Sequence, residues 1–465
     1  MVDWSRREFV RSCGAAIGVG CLPSATWAMG ARGGGARATR VHELVRLGDR
    51  LARLPRIEAL DAGVRELADG RPWDELLGAV FFAGLRHVRP RPVGFKLHCV
   101  FVVESMFQLA AGSPERGARA AMWNLADLKA SQARDVAEGD WELPAAPEVS
   151  TRSKERVAKE LVQALEAWDA ERADVAVTAA AGTLARDELF ELLWPFALRD
   201  FHNLGHKAIF TAHVERVLRR LGPGAPGATE PALRALVHGL LDDEPSLALD
   251  AFAASRRAAP GMRPSWRTGR RAPDESLELA ARLRSASPAS ARAFALEASA
   301  SGLHAETVWD GIRLAAADLF VRGPGLLPVH PRTVTNALHY VYRTSRVDET
   351  ARLALLQAAT WIPLFRAFLT ERSLISMDSL GLDRWVGAHD ADEEHVELAT
   401  LFQEPTSART HVFVDHTADL GPFSQMLRDH VVRASDEHHK PKYAAVLIED
   451  LEFADPRWHP ALLAT

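Results

Sequence analysis

Residues 199–213 read Arg-Asp-Phe-His-Asn-Leu-Gly-His-Lys-Ala-Ile-Phe-Thr-Ala-His. We expect this stretch to lie in one long helix over residues 188–221. On such a helix, His206 lies about 40° and His213 about 20° around the axis from His202. The three imidazoles would then share one stripe, and a stripe of this kind usually faces the protein interior. Buried imidazole nitrogens need partners, which could be carboxylates, carbonyl groups or a metal ion.

The rise of the helix limits how many of these histidines can meet at one point. A pair four residues apart, such as His202 and His206, can place two ring nitrogens on one metal ion. His213 lies about 10 Å beyond His206, so we expect it to support the site from a neighbouring position. The remaining ligands must come from other helices. The candidates are His98, Glu104, His304, Glu306, His330 and His339.

The composition predicts an all-α protein. The chain has 465 residues, of which 47% are hydrophobic and 25% are charged, and its formal net charge is −5. Tyrosine is sparse, with 3 residues, while alanine, leucine and arginine are abundant, and this balance favours helix over strand. We expect a multi-helix bundle or an irregular array of helical hairpins. Without a basic excess, nothing indicates nucleic-acid binding.

Cysteine usage restricts the chemistry of any metal site. Cys13 and Cys21 lie near the N-terminus, so Cys99 is the only thiol in the body of the chain. This excludes a disulfide framework, a zinc ribbon and a cysteine-ligated iron–sulfur cluster. Nitrogen and oxygen ligands suit a non-haem iron, copper, manganese or zinc ion. The sequence also lacks a phosphate-binding loop, a dinucleotide fingerprint and a nucleophile elbow.

The first residues resemble an export signal. Residues 5–11 read Ser-Arg-Arg-Glu-Phe-Val-Arg, and residues 12–31 carry no charge. This pattern is typical of the twin-arginine motif followed by a weakly apolar segment that is too polar for a stable transmembrane span. We therefore predict a signal peptide over residues 1–28, recognition by the twin-arginine export machinery, and a periplasmic or secreted protein. Cys21 could instead be lipidated.

The rest of the chain divides at composition changes. Residues 29–40 have the composition of a flexible linker. A basic, proline-containing loop at residues 258–273 separates an N-terminal helical half (41–257) from a C-terminal helical half (274–465), although the two halves could form one domain. Residues 123–147 are polar and predict at most a short helix. Apolar periodicity predicts helices over 41–54, 95–111, 151–170, 231–241 and 353–368.

The C-terminal half carries further candidate site residues. Glu306 and Asp310 are four residues apart, which suits either metal ligation and acid–base chemistry or a plain helix N-terminus. Because Pro331 can occupy the first helical turn, we expect His330 at a helix start, with His339 further along that helix. His438 and His439 are adjacent, so only one of them can join a given site.

Two patterns resemble the questin-oxidase-like family of helical proteins. They are Phe201-His202 at the start of an apolar helix, and His330-x-x-Thr333-x-x-x-Ala337-Leu338. That family is associated with oxygen-dependent ring opening of polyketide quinones. The resemblance implies a helical oxidoreductase whose pocket is lined by histidines.

These observations lead to one main hypothesis and two alternatives. The main hypothesis is an exported oxidoreductase that acts on a small organic molecule, possesses a non-haem metal ion bound by His98, His202 and His206, and uses His206, His330 and His339 in catalysis. The first alternative is a non-catalytic helical binding protein of the cell envelope, whose histidines are core residues. The second is a metal-dependent hydrolase, in which the same ligands would hold a metal-bound water.

Overall fold

The chain folds into α-helices. The computed structural model describes residues 34–222, 229–242, 248–379, 381–382, 420–463 and 465. Within these residues the chain is 76% helical, with 19 α-helices and no strand, so the all-α prediction is confirmed. The predicted signal peptide, residues 1–28, lies outside the described residues.

The helices are numbered in chain order. The first ten are α1 Gly34–Arg53, α2 Arg56–Ala68, α3 Trp73–His87, α4 His98–Ala110, α5 Pro114–Glu138, α6 Lys154–Glu166, α7 Ala170–Thr183, α8 Arg186–Ala197, α9 His202–Leu221 and α10 Glu230–Leu240. The others are α11 Ala248–Ala258, α12 Pro273–Ser285, α13 Pro288–Ala300, α14 Ala305–Val321, α15 His330–Thr344, α16 Asp348–Glu371, α17 Leu420–Ala434, α18 His439–Phe453 and α19 His459–Leu463. Short 3₁₀ turns cover Phe95–Leu97, Ala259–Gly261 and Pro456–Trp458.

The internal contacts divide the chain into two compact units. The first contains Met1–Arg186 and Val214–Leu241, and the second contains Asp187–His213 and Asp242–Thr465. This division differs from the predicted halves. The predicted boundary loop, residues 258–273, lies wholly inside the second unit, where Trp266 is fully buried and donates its indole N–H to Asp348 over 3.0 Å. The loop therefore packs within the second unit, although its basic, proline-containing composition predicted a boundary between two halves.

In the first unit, α3 lies between α1 and α5, and α6, α7 and α10 form a second layer. The contact of α1 with α3 requires a glycine, since a Cβ atom on Gly48 would lie 2.4 Å from the carbonyl oxygen of Ala79. Helix α1 begins at Gly34, so residues 34–40 of the predicted linker are helical.

Helix α5 was not predicted, because residues 123–147 are rich in polar side chains. It runs for 25 residues, is capped by Ser113 and ends at Glu138, and the next residue, Gly139, has a φ of +138°. Its buried face includes Asn124, Ser131 and Asp135. Because these buried groups are polar, the apolar residues alone do not show the helical periodicity. Asn124 makes a hydrogen bond within the helix, by donating to the carbonyl oxygen of Ala120 over 2.7 Å.

In the second unit, α15 packs on α14, α16 and α18, while α12 and α13 contact α14 and α16. Helix α16 is the single described helix that is long and apolar enough to cross a membrane, and 72% of its most apolar window is buried inside the protein. A buried core helix of a soluble protein has the same composition, so α16 by itself is weak evidence for a membrane.

The predicted long helix over residues 188–221 is wrong. Helix α8 ends at Ala197, and Asn203, Leu204 and Gly205 have left-handed backbone angles, with φ of 48°, 59° and 76°. His202 and His206 consequently do not share a face of a regular helix, which removes the geometric basis for the predicted metal pair. Asparagine and glycine are the residues that adopt this conformation most readily, so the sequence did contain a signal for the break.

Buried contacts hold this left-handed turn in place. The Lys207 amine donates to the Asp200 carboxylate over 2.9 Å and to the carbonyl oxygen of Asp242 over 2.6 Å. The second oxygen of Asp200 accepts the backbone N–H of His202 over 3.1 Å. A Cβ atom on Gly205 would come within 3.1 Å of both Trp361 and Val334, so position 205 is restricted by space as well as by φ.

We predict that Gly205→Ala destabilises the protein by about 1–3 kcal/mol, because alanine at this positive φ is strained and its methyl group meets Trp361. Urea unfolding followed by circular dichroism measures the change. The matched control is Gly182→Ala in α7, where a Cβ atom would meet nothing within 4 Å. Alanine there should be neutral or should stabilise by up to about 1 kcal/mol. Equal urea midpoints for the two variants would contradict the role of the turn.

Candidate metal centre

Two histidines that are 124 residues apart in sequence meet in the second unit. His206 follows the left-handed turn at the start of α9, and His330 is the first residue of α15. Their Nε2 atoms are 3.2 Å apart, and their ring centroids are 4.8 Å apart with the planes inclined by 65°. Both side chains are buried.

The opposite nitrogen of each ring fixes its tautomer. His206 Nδ1 contacts the carbonyl oxygen of Asn203, and His330 Nδ1 lies 2.9 Å from the carbonyl oxygen of Leu327. A carbonyl oxygen only accepts hydrogen bonds, so each Nδ1 carries the hydrogen. In the neutral rings, the two Nε2 lone pairs therefore point at each other.

Protonation of either ring is unfavourable in this environment. Burial and, to a smaller extent, the nearby positive charge of Lys442 together lower the pKa of His206 to about 3. Burial also holds the pKa of His330 well below its usual value, with contributions from His206 and Lys442. At neutral pH the two imidazoles are uncharged, and their facing lone pairs repel each other unless a cation binds between them.

His439 adds a third imidazole. It begins α18, and its ring centroid is 5.5 Å from that of His330, with ring nitrogens of the two residues within 4.8 Å of each other. Its Nδ1 lies 2.8 Å from a carboxylate oxygen of Glu437. Because the pKa of Glu437 is lowered to about 2, against the opposing effect of burial, by hydrogen bonds and charge from His439, the carboxylate accepts and the lone pair of His439 is on Nε2. Burial lowers the pKa of His439 to about 4.

This histidine cluster, defined as His206, His330 and His439, brings together imidazoles of the kind that bind metal ions, with the Nε2 atoms of His206 and His330 3.2 Å apart and His439 beside His330. Metal-binding histidines usually donate their second N–H to a carbonyl or a carboxylate, and all three rings have such a partner. The usual zinc–imidazole distance is about 2.0–2.1 Å. For an ion at that distance from both Nε2 atoms, which are 3.2 Å apart, the nitrogen–ion–nitrogen angle would be about 100°. This angle is close to tetrahedral.

His339 belongs to a separate, charged cluster on α15. Its Nε2 lies 3.1 Å from a Glu306 carboxylate oxygen and 2.8 Å from Nη2 of Arg313. Arg313 also donates to Asp310 over 2.7 Å. Burial raises the pKa of Asp310 to about 6, while contacts with His339 outweigh burial and lower the pKa of Glu306 to about 2. The paired carboxylates predicted from the sequence thus bind Arg313 and His339.

The other predicted ligands make the following contacts within their own units. His202 is half-buried, and among the described residues it contacts no other histidine. His98 belongs to the first unit, where its Nδ1 lies 2.7 Å from the carbonyl oxygen of Phe95. Glu104, also in the first unit, faces Arg220 at 3.3 Å. His304 caps α14 by accepting the backbone N–H of Glu306 over 3.1 Å.

The sequence analysis did not assign His439 to the predicted site. The run Glu437-His438-His439 contained a signal, because a carboxylate two residues before a histidine can orient its ring. The same three residues place one ligand atom each within 4.8 Å of one another. What the sequence could not provide was the distance of His439 from His330, which depends on how α15 packs against α18.

Comparison of the chain with known protein families, with curated proteins and with solved structures finds no match. The resemblance to the questin-oxidase-like family therefore stays a prediction.

We predict that the metal-free protein loses stability as the pH falls from 7 to 5. The pKa is lowered to about 3 for His206 and to about 4 for His339 and His439, so these rings bind protons near pH 6.5 only after unfolding. Asp310, whose pKa is raised to about 6, has the opposite effect because it binds its proton in the folded state.

With His330, whose pKa is also held well below its usual value, these groups give a net difference of about three protons, which corresponds to a loss of up to ~4 kcal/mol per pH unit. Urea unfolding of chelator-treated protein at several pH values measures it, and His439→Gln should reduce the slope. A free energy of unfolding that is constant or rises on acidification would contradict the assignment of neutral, buried imidazoles.

Proposed function

We propose that this protein is an exported, metal-dependent oxidoreductase that acts on a small organic molecule, with its metal bound by the histidine cluster. The observation that carries this proposal is the 3.2 Å approach of the two Nε2 atoms of His206 and His330, each with its Nδ1 directed at a carbonyl oxygen. Neutral imidazoles without a thiolate suit iron, copper or zinc. Cys99 is no candidate ligand here, since it is buried and burial raises its pKa strongly.

The residues around the cluster have distinct roles in this proposal. His206, His330 and His439 would bind the ion, which supplies redox or Lewis-acid chemistry when present. Glu437 orients His439 and increases its basicity through the Nδ1–H hydrogen bond. His339 lies in the charged cluster, so we assign it to that network and not to catalysis.

Lys442 adds a positive charge close to the histidine cluster. It is buried on α18, three residues after His439, and its positive charge lowers the pKa of all three cluster histidines. A buried cation beside neutral ligands favours an anionic group at the site. This supports a substrate that carries, or can form, an anion such as a carboxylate, phenolate or enolate.

We predict that the purified protein contains one transition-metal ion and that His206→Ala or His330→Ala removes it. Elemental analysis and an absorption spectrum of protein expressed with added iron, copper, manganese or zinc measure occupancy. Glu437→Gln, which keeps the shape of the side chain, should weaken metal binding about 10- to 100-fold. Each variant is checked for folding by circular dichroism.

The matched control is His42→Ala, because His42 is an exposed histidine on α1 and its removal should leave the metal content unchanged. Unchanged metal content in His206→Ala and His330→Ala would contradict the proposed centre. Oxygen uptake by the iron- or copper-loaded protein with hydroxyquinones and related phenols tests the reaction class. Activity restricted to the zinc-loaded protein and to ester or amide substrates would instead indicate a hydrolase.

The export part of the proposal rests on residues 5–11. We predict that replacing Arg6 and Arg7 together by lysine retains the precursor in the cytoplasm, because the twin-arginine pathway recognises this pair. Cell fractionation of a bacterial host measures the exported fraction, and Arg11→Lys is the matched control. Equal export of the double variant and the control would contradict recognition by this pathway.

A further inference from the structure

A cleft in the first unit is independent of the histidine cluster. It lies where the C-terminal end of α1 and the following turn face α5, and its volume is about 640 Å³. Small-molecule sites in proteins are commonly ~300–1,000 Å³. The cleft is therefore large enough for a ligand, and the chemistry of its lining indicates what kind of ligand fits.

One wall is a face of α5. Lys129, Gln132 and Val136 are spaced three and four residues apart, so their side chains project from the same side of the helix. Lys129 donates one hydrogen bond, to the carbonyl oxygen of Ala52 over 2.7 Å, and Gln132 donates to the same oxygen over 3.3 Å. Both side chains thus bind a carbonyl oxygen in the last turn of α1, where the unpaired carbonyl groups of a helix favour a cation.

The charge of Lys129 is not matched by a carboxylate. The ammonium group has three N–H donors, and in the described part of the chain its partner is one neutral carbonyl. Burial lowers the pKa of this amine, as expected for a cation without a counter-ion. An anion bound in the cleft would supply the missing charge and accept the remaining N–H groups.

The other lining groups are compatible with an anion that has an apolar body. Val136 is 58% exposed, and Leu54 and Pro55 add apolar surface. Two carboxylates also line the cleft: Glu142 is paired with Arg53 at 2.5 Å, and Asp140 is exposed.

We propose that this cleft binds a small organic monocarboxylate, with its carboxylate on the Lys129 amine and its apolar body against Val136, Leu54 and Pro55. The arrangement combines one partly desolvated cation with an apolar wall. An inorganic anion would not contact the apolar wall, and a neutral apolar molecule would not pair with the charge of Lys129.

Isothermal titration of the full-length protein with phenylacetate and with phenylacetamide tests this proposal. The amide has nearly the same shape but no charge. A charge-assisted hydrogen bond should make the acid bind about 10- to 100-fold more tightly than the amide. Lys129→Met should abolish that preference, while Lys129→Arg should retain part of it.

Two further variants keep the test decisive if Lys129→Met fails to fold. Val136→Asp changes an exposed side chain, so the protein should fold, but the new carboxylate should weaken phenylacetate binding about 10-fold or more. Lys159→Met, at an exposed lysine of α6 away from the cleft, should change nothing. Equal binding of acid and amide by the wild-type protein, or phenylacetate affinity that is unchanged in Val136→Asp, would overturn the proposal.

Discussion

The buried ion pair between Lys207 and Asp200 is the constraint on which the candidate metal centre depends. Both side chains are fully buried, and the amine and carboxylate are 2.9 Å apart. Removing one partner of such a pair usually costs ~3–5 kcal/mol, because the other charge is left without compensation. Here the pair closes a turn with three left-handed residues, including Leu204, for which this backbone conformation is unfavourable. The turn directs His206 toward His330.

Helices α15 and α18 show how the second unit accommodates polar groups in its core. Helix α15 is buried over most of its length, yet it carries His330, Arg332, Asn336 and His339. Helix α18 satisfies two of these side chains, since Arg332 donates to Asp450 over 2.8 Å and Asn336 donates to a Glu449 oxygen over 3.2 Å. The charged network is thus internally compensated. The histidine cluster differs, because its members are neutral and the Nε2 lone pairs of His206 and His330 face each other at 3.2 Å. This contrast is why we place the metal in the cluster and assign a structural role to the network around His339.

The sequence predicted helices correctly where apolar residues recur on one face and capping residues mark the ends. Helices α1, α4, α6, α10 and α16 correspond to predicted segments, and His330 begins a helix as Pro331 implied. The failures have physical reasons. Helix α5 buries Asn124 and Asp135, so its polar residues concealed the helical period. The break before His206 contains no proline, so the periodicity of the residues on either side predicts a continuous helix across Asn203 and Gly205.

By itself, the sequence determined the helical class, the positions of several helices and the choice of nitrogen ligands over thiolates, because these depend on local propensity and composition. It also identified His206 and His330 separately as candidate site residues. Only the tertiary structure decided that these two meet, that His202 and His339 do not join them, and that His439 lies beside His330. Contacts across 124 residues depend on how whole helices pack and on a left-handed turn held by a buried ion pair, and helical periodicity contains no information about either.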